Sequence, residues 1–344
     1  MRIATYNVEW FDALFDAEAN LLDDAGPSGR QGVTRHRQIA ALGIVLRAID
    51  ADAIMVIEAP DDSATRSCVA ALEGFAAQMQ LRTTRAISGF RSDTQQEIAL
   101  LYDPAVLVPR HDPQGARTGK KGSADAPRFD SVFRWDLDAD GAPELIVFSK
   151  PPLELAVQSK AGRSFRMIGV HAKSKAPHGA DTPQALMRMA IENRRKQLAQ
   201  CLWLRQRVAM HLQAGESLIV LGDFNDGPGL DEYEDLFGRS GVEIVLGPAD
   251  SPPALRLHDP HAEMALSGRI ADVPATARFI RGDGRGPLSV AIDYIMISDD
   301  LRRRAPRWRV WHPLDDPGCA GLPELRRALL QASDHFPVTL DIAL

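Results

Sequence analysis

The sequence predicts an α/β sandwich, with β-sheets inside and helices outside. Short apolar runs typical of buried strands alternate with longer segments in which apolar residues recur at helical spacing. Several of these runs end in a carboxylate, an amide or a histidine, which places polar chemistry at the rim of a sheet. The chain has 344 residues, of which 45% are hydrophobic, so it can bury a large core. Low-complexity linkers are absent from the sequence, and we expect a single domain over residues 1–344.

Roughly the first 80 residues predict alternating strands and helices. Short apolar runs typical of strands alternate there with segments in which apolar residues recur at helical spacing. The predicted order is a strand over Arg2–Val8, a loop around Asp23–Gly32, a helix from its cap Thr34 to Ile49, a strand over Ala53–Ile57 and a helix over Ala64–Met79.

The remainder is richer in strands. Further strands are predicted over Ile98–Tyr102, Leu145–Phe148, Leu153–Val157, Phe165–Val170, Ser217–Leu221, Val242–Leu246, Ala291–Ile297 and Phe336–Ile342. A mobile loop is predicted over Arg110–Asp130, a long helix over Pro183–Ala214 and a short helix near Asp231–Phe237.

The charge and cysteine content of the chain limit the kinds of function that it can have. Lys and Arg number 40 against 46 Asp and Glu, giving a net charge of -6, so nucleic acid could be held only by local basic patches. The cysteines Cys68, Cys201 and Cys319 are too few and too dispersed for a disulfide framework or a thiolate zinc site. We expect reduced, buried thiols in a cytoplasmic protein. The sequence shows neither a signal peptide nor a membrane-spanning run, and it indicates no protein partner.

Polar residues at strand ends are the candidates for chemistry. They are Asn7, Glu58, His171, Asp223, Asn225, Asp293, Asp334 and His335. Each alone has an ordinary structural explanation, such as a turn, a solvated strand end or a satisfied histidine. Together they predict one cluster, and clustered carboxylates repel one another unless a cation neutralises them.

These residues lie in a series of motifs that runs from Arg2 to Val338. The motifs are IATYNVEWF, VIEAP, GVHAKSK, LGDFNDGPG, AIDYIMIS and SDHFPV, in this order. The series resembles that of the endonuclease/exonuclease/phosphatase superfamily, the deoxyribonuclease I-like proteins. HAKSK and GDFNDGPG, with KPPLE upstream, are most similar to bacterial nuclease-type members.

The resemblance implies a four-layer α/β/β/α sandwich of two mixed sheets, with the site at one rim. It implies Glu58 as the principal Mg²⁺ ligand, with Asn7 and Asp334 beside the metal. It also implies catalytic roles for His171, the Asp223–Asn225 pair, Asp293 and His335, with Asp293 orienting His335. The sequence departs from the frequent pattern after Glu58, where Ala59-Pro60 follows, and Glu9 stays outside the predicted site.

The residue types fit phosphoester hydrolysis. Mg²⁺ prefers carboxylate, amide and water oxygens, and Mn²⁺ can substitute for it. Either Asp223, held by Asn225, or His335, polarised by Asp293, can deprotonate the attacking water. The sequence leaves this choice open. His171 would donate to a phosphate oxygen or assist the leaving group.

Basic residues give weaker signals. Lys173 and Lys175 follow His171 and are predicted to touch substrate phosphate, with a solvated loop as the alternative. The arginines of the Pro183–Ala214 helix favour a charged outer helix face over a phosphate track.

We therefore expect a Mg²⁺-dependent phosphodiesterase, and among these a nuclease acting on DNA or RNA. A hydrolase of small phosphoesters, such as an inositol phosphate or a lipid head group, is the alternative. A non-catalytic binding relative is the third possibility, and the intact set of polar residues argues against it.

Overall fold

Two six-stranded mixed sheets form the centre of the molecule. The computed structural model describes residues 1–92, 94–136, 143–177, 182–228, 234–268, 273–280 and 286–344. Its strands are β1 Arg2–Asn7, β2 Ala53–Ala59, β3 Arg85–Ser88, β4 Glu97–Tyr102, β5 Leu107–His111, β6 Phe133–Trp135, β7 Glu144–Ile146, β8 Leu153–Ser159, β9 Ser164–His171, β10 Leu218–Asp223, β11 Leu257–His258, β12 Ala277–Phe279, β13 Leu288–Val290, β14 Asp293–Ser298, β15 Arg307–Val310 and β16 Val338–Asp341.

Helices cover the outer faces of both sheets. They are α1 Arg35–Ile49, α2 Cys68–Gln78, α3 Pro183–Gln213, α4 Glu234–Phe237, α5 Gly241–Leu246, α6 Pro260–Leu266, α7 Asp299–Arg302, α8 Pro317–Ala320 and α9 Pro323–Ala332. In the described parts of the chain, none of them is both long and apolar enough to cross a membrane.

The strand order shows two similar halves. One sheet has the order β15-β16-β1-β2-β4-β3, and the other has β11-β14-β10-β9-β8-β5. In each, a central parallel pair, β1 with β2 or β9 with β10, is flanked by antiparallel neighbours. The four-layer sandwich of mixed sheets predicted from the sequence is therefore confirmed.

Three apolar cores separate the layers. The core between the sheets contains Met55, Leu100, Met167 and Ile295, all fully buried. A second core lies under α1, α2 and α9, and a third lies under α3, α5 and α6. Strands covered on both faces explain why the central runs are apolar throughout rather than alternating.

Most predicted strands and the long helices lie where the sequence placed them, with ends shifted by a few residues. The predicted strand Val242–Leu246 is wrong, because these residues form α5. Ser240 caps α5 by accepting a hydrogen bond from the Glu243 N–H at 3.1 Å, and the buried helix packs against α3. A short apolar run cannot distinguish a buried helix from a buried strand.

Of the short helix predicted near Asp231–Phe237, residues 231–233 lie outside the described residues.

The predicted outer charged face of α3 is wrong for two of its arginines. Arg194 and Arg207 are fully buried, and they pair with Asp226 and Glu154 respectively. Arg207 also donates to the carbonyl of Ala126, so it anchors the irregular segment that follows β5. Both arginines therefore lie in the packed interior, where a carboxylate compensates each buried charge.

Candidate active site

The register of the sheets brings the predicted residues to one rim. His171 stands opposite Asp223 in the β9–β10 pair, and Asp223 stands opposite Asp293 in the β10–β14 pair. Asn7 ends β1 beside the end of β2, which carries Glu58. The two sheets therefore contribute to the same site from opposite sides.

Asp223 lies at the centre of this site. Its Oδ2 accepts hydrogen bonds from Asn7 Nδ2 at 3.1 Å and from Asn225 Nδ2 at 3.2 Å. The same oxygen lies 3.6 Å from His171 Nε2 and 4.0 Å from His335 Nε2. Burial raises the pKa of Asp223 to about 7, and the Asp293 carboxylate adds to the shift. This carboxyl group can therefore exchange a proton near neutral pH.

Asn225 holds Asp223 through its backbone as well as its side chain. Its N–H donates to Asp223 Oδ1 at 2.7 Å, and its Nδ2 also reaches the carbonyl of Ala172 at 3.1 Å. Asn225 has a φ of 49°, in the left-handed region that Asn tolerates better than most residues. The local GDFN turn thus fixes the orientation of the Asp223 carboxylate.

Glu58 lies in a β-bulge of β2, with a φ of 60°. Its Oε2 accepts from the Trp10 N–H at 3.0 Å and from Gln96 Nε2 at 2.7 Å. Its Oε1 has only a 3.5 Å contact with Asn7 Nδ2 among the hydrogen bonds of the described residues. One oxygen is therefore anchored, and the other faces the site. The contribution of Gln96 was missed, since nothing in its sequence context marks it.

His335 and Asp293 form a buried pair. His335 Nδ1 lies 2.8 Å from Asp293 Oδ2, which also accepts a hydrogen bond from Thr276 Oγ1 at 2.8 Å. Burial opposes protonation of the ring, but the carboxylates of Asp293, Asp223 and Asp334 outweigh it and hold the pKa of His335 well above its usual range. This environment favours the protonated ring. Thr276 was also missed by the sequence analysis.

His171 has the opposite environment. Burial and the neighbouring Lys150 ammonium hold the pKa of His171 well below its usual range, so its ring is neutral. Lys150 Nζ lies 3.3 Å from His171 Nε2, and burial lowers the pKa of this lysine. His171 Nδ1 is buried without a hydrogen-bond partner among the described residues. Lys150 begins the KPPLE motif, which was noted only as part of the family resemblance.

Asp334 sits against a second acidic residue. Its backbone N–H donates to Glu9 Oε2 at 2.9 Å, and Glu9 also pairs with Arg30. Burial raises the pKa of Asp334 to about 7; the His335 cation opposes this shift and the Glu9 carboxylate increases it. Glu9 thus positions Asp334, although the sequence analysis left it outside the site.

The two lysines after His171 differ in their surroundings. Lys175 Nζ pairs with Asp226 Oδ1 at 2.6 Å, and Arg194 reaches the same oxygen at 2.9 Å. This pairing gives Lys175 a structural partner, and its contact with substrate phosphate stays a prediction. Lys173 is half-buried, and its backbone N–H donates to Gln200.

Two groups of residues could hold a metal ion. Asp223, Asp293 and His335 bring potential ligand atoms within 4.8 Å of one another, but the Asp293–His335 hydrogen bond already uses two of their polar atoms. Glu58 and Asp334 offer carboxylate oxygens, the type that Mg²⁺ prefers, and Asn7 lies beside them with its Nδ2 turned towards Glu58 and Asp223. Glu58 Oε1 points towards the site, and burial raises the pKa of Asp334, so a bound cation would stabilise the ionised form of both carboxylates.

Carboxylates and two histidines thus converge at one rim of a two-sheet sandwich, a set of groups that suits phosphoester hydrolysis. The chain belongs to the endonuclease/exonuclease/phosphatase family, whose sequence profile matches residues 4–335. It is accordingly a phosphoester hydrolase of this type.

Solved structures agree on the fold. The Neisseria 3′ phosphatase NExo, bound to a product DNA hairpin, is 15% identical, with a TM-score of 0.50 and 100% of both chains covered. An AP endonuclease from Archaeoglobus fulgidus is 12% identical, with a TM-score of 0.50 and 100% of both chains covered. No curated protein sequence matches the chain significantly.

Proposed function

We propose that this protein is a Mg²⁺-dependent phosphodiesterase that cuts DNA or RNA by attack of water at phosphorus. The observation that carries the proposal is the position of Asp223 Oδ2, which lies within 4.0 Å of the Nε2 atoms of both histidines. A proton acceptor therefore stands between a neutral ring and a cationic ring. This arrangement suits a reaction in which water loses a proton while charge grows on a phosphoryl group.

Glu58, Asn7 and Asp334 are the residues that would hold Mg²⁺, or Mn²⁺ in its place. When bound, the cation supplies stabilisation of the charge that develops on the phosphoryl oxygens. Gln96 and the Trp10 N–H hold one oxygen of Glu58 and thereby direct the other oxygen at the site. Because the side chain is already held, metal binding would cost it little conformational entropy.

The protein's own groups take the remaining roles. Asp223 accepts the proton of the attacking water, because its pKa of about 7 matches neutral conditions. The His335 cation, held by Asp293, stabilises negative charge and can deliver a proton. His171 and Lys150 donate to a non-bridging phosphate oxygen. We therefore favour Asp223 over His335 as the base.

A polynucleotide fits the site better than a small ester in two respects. Lys150 lies against His171 and Arg278 lines the pocket beside Asp334, and on a chain of net charge -6 such local cations are what a polyanion needs. The structurally similar NExo was solved with product DNA. The cysteines Cys68, Cys201 and Cys319 are free and buried, in keeping with a cytoplasmic location.

The test is a panel of single-stranded DNA, duplex DNA, abasic DNA, RNA, bis-p-nitrophenyl phosphate and a phosphomonoester, each with Mg²⁺, with Mn²⁺ and with chelator. We expect turnover of at least one nucleic acid only with metal. Glu58→Gln should raise the metal concentration for half activity, whereas the exposed Glu18→Gln should not. Affinity should fall by about 0.7 to 0.9 log units per log unit of salt for each phosphate contacted.

Full turnover in chelator would overturn the metal dependence. A salt-insensitive KM on nucleic acids, with efficient turnover of the phosphomonoester, would instead assign the enzyme to small phosphoesters.

A further inference from the structure

A pocket of about 190 Å³ opens beside Asp334, outside the cluster around Asp223. Ile280 and Leu330 contribute apolar walls, and Arg30 and Arg278 contribute positive charge. Asp334 forms part of its lining, so the pocket is directly continuous with the proposed metal side of the site.

The two arginines of this pocket differ in availability. The Arg30 guanidinium already has protein partners, since it pairs with Glu9 and donates to the carbonyl of Leu330 at 2.9 Å. The guanidinium of the half-buried Arg278 has no hydrogen bond or ion pair with any of the described residues. A guanidinium has five N–H donors in a planar fork, and a half-buried one without an acceptor is poorly satisfied.

The backbone fixes Arg278 against the site. The Arg278 N–H donates to the Asp334 carbonyl at 2.7 Å, and the Phe336 N–H donates to the Thr276 carbonyl at 2.6 Å. Ala277 forms a bridge with His335. The β12–β13 hairpin is therefore joined to the segment that carries Asp334 and His335, so that Arg278 keeps a fixed position relative to both.

We propose that the Arg278 pocket binds the substrate phosphate adjacent to the one that is cleaved. This rests on the proposed function, in that the substrate must carry more than one phosphate. A free anion is disfavoured here, because the Asp334 carboxylate borders the pocket. A phosphate delivered as part of a polynucleotide is favoured, because its neighbour is held at the same time in the main site. Apolar walls at Ile280 and Leu330 suit the sugar that links the two phosphates.

The test compares two substrates of the wild-type enzyme and of Arg278→Ala. The first is an oligonucleotide that the enzyme cleaves, and the second is bis-p-nitrophenyl phosphate, which has a single phosphate. Loss of one charge-assisted contact should lower kcat/KM on the oligonucleotide about tenfold more than on the small diester. The salt slope on the oligonucleotide should fall by about 0.7 to 0.9, the change expected for one phosphate contact. Arg278→Lys should restore part of the loss.

A neutral methylphosphonate at the linkage next to the cleaved one identifies the ligand. It should weaken cleavage by the wild-type enzyme about tenfold and have little further effect on Arg278→Ala, since both changes remove the same contact. Arg163→Ala is the matched control, because Arg163 is exposed at the opposite end of the strand that ends at His171. It removes the same charge and should leave both substrates unaffected.

Equal losses of Arg278→Ala on both substrates, or full sensitivity of this variant to the methylphosphonate, would overturn the pocket while leaving the proposed function intact. Failure of the wild-type enzyme to cleave any oligonucleotide would reject the nuclease function itself, and the pocket assignment with it.

Discussion

At the scale of single residues, the Asp293–His335 pair is the place where one side chain sets the protonation of another. Asp293→Asn should lower turnover by about 10²–10⁴-fold, since an amide no longer stabilises the imidazolium and can orient the wrong tautomer. His335→Ala and His171→Ala should have losses of the same order. Steady-state kinetics on the best substrate, together with thermal unfolding, measures these effects.

The exposed Asp125→Asn is the matched control for the amide substitution and should keep full activity. Folded variants of Asp293, His335 and His171 with near wild-type turnover would show that these residues are structural.

The pKa of Asp223 predicts the pH profile. A carboxylate must be ionised to accept a proton, so kcat/KM should rise as the pH passes through about 7 at low Mg²⁺ concentration. Raising the Mg²⁺ concentration should move this limb to lower pH, because a nearby cation favours the ionised form. Initial rates across about pH 5 to 9 at two metal concentrations measure both effects. A flat profile, or one that falls with pH, would contradict the assignment of Asp223 as the base.

The residues at the strand ends could be predicted because an apolar run followed by a carboxylate or histidine is a local signal. The structure places all of them at one rim, although their catalytic roles remain predictions. Lys150, Gln96 and Thr276 could not be predicted in the same way. Each reaches the site from a segment whose approach depends on tertiary packing, and no spacing in the sequence expresses that approach.

At the scale of elements, buried charge pairs join α3 to the strand that carries Asp223. Asp226 is fully buried and accepts hydrogen bonds from Arg194, Lys175 and the Gly241 N–H. Asp226→Ala should lower the free energy of unfolding by about 3–5 kcal/mol, since it removes a buried carboxylate that accepts from two cations and from the Gly241 N–H. Urea unfolding of the single variant and of the double variant Asp226→Leu/Arg194→Met measures this.

The double variant should recover part of the loss, because the buried Arg194 charge is removed together with that of Asp226, while Lys175 still loses its carboxylate. Equal stability of Asp226→Ala and wild type would show that the network contributes nothing.

Elements whose apolar residues recur with a clear period could be predicted from the sequence. Short elements and strands at the edges of the sheets could not. The helices α1 and α3 and the central strands have apolar runs long enough to show their periodicity. The edge strands β3, β5 and β15 and the two-stranded hairpins are short and half-exposed, so their sequences mix polar and apolar residues without a clear period. The prediction failed at α5 for a different reason, since every residue of this short segment except the exposed Glu243 is buried, and so brief an apolar run shows no period.

At the scale of the whole molecule, the distance between the sheets determines whether the two halves of the site meet. Gly169 in β9 faces β2 across the central core, and a Cβ at this position would lie 2.5 Å from Met55 Sδ and 2.8 Å from Ile98 Cγ2. Gly169→Ala should therefore destabilise the fold by about 1–3 kcal/mol. Gly74 in α2 has open space around its Cα, so Gly74→Ala should stabilise by up to about 1 kcal/mol.

Thermal unfolding of both alanine variants gives the comparison. A stabilised Gly169→Ala would show that the two sheets can separate at this point without cost.

The pairing of the first and last strands has a consequence for protein synthesis. β1 lies between β2 and β16, and the Met1 amino group donates to the Ile342 carbonyl at 2.7 Å. While the chain is still growing on the ribosome, the first strand therefore has one open edge, and Asp334 and His335 have not yet emerged. A partly synthesised chain that ends before this segment therefore lacks His335, one of the groups to which we assign acid–base chemistry. A product truncated before β16 also leaves one edge of β1 unpaired, and an open strand edge invites aggregation and removal by quality control.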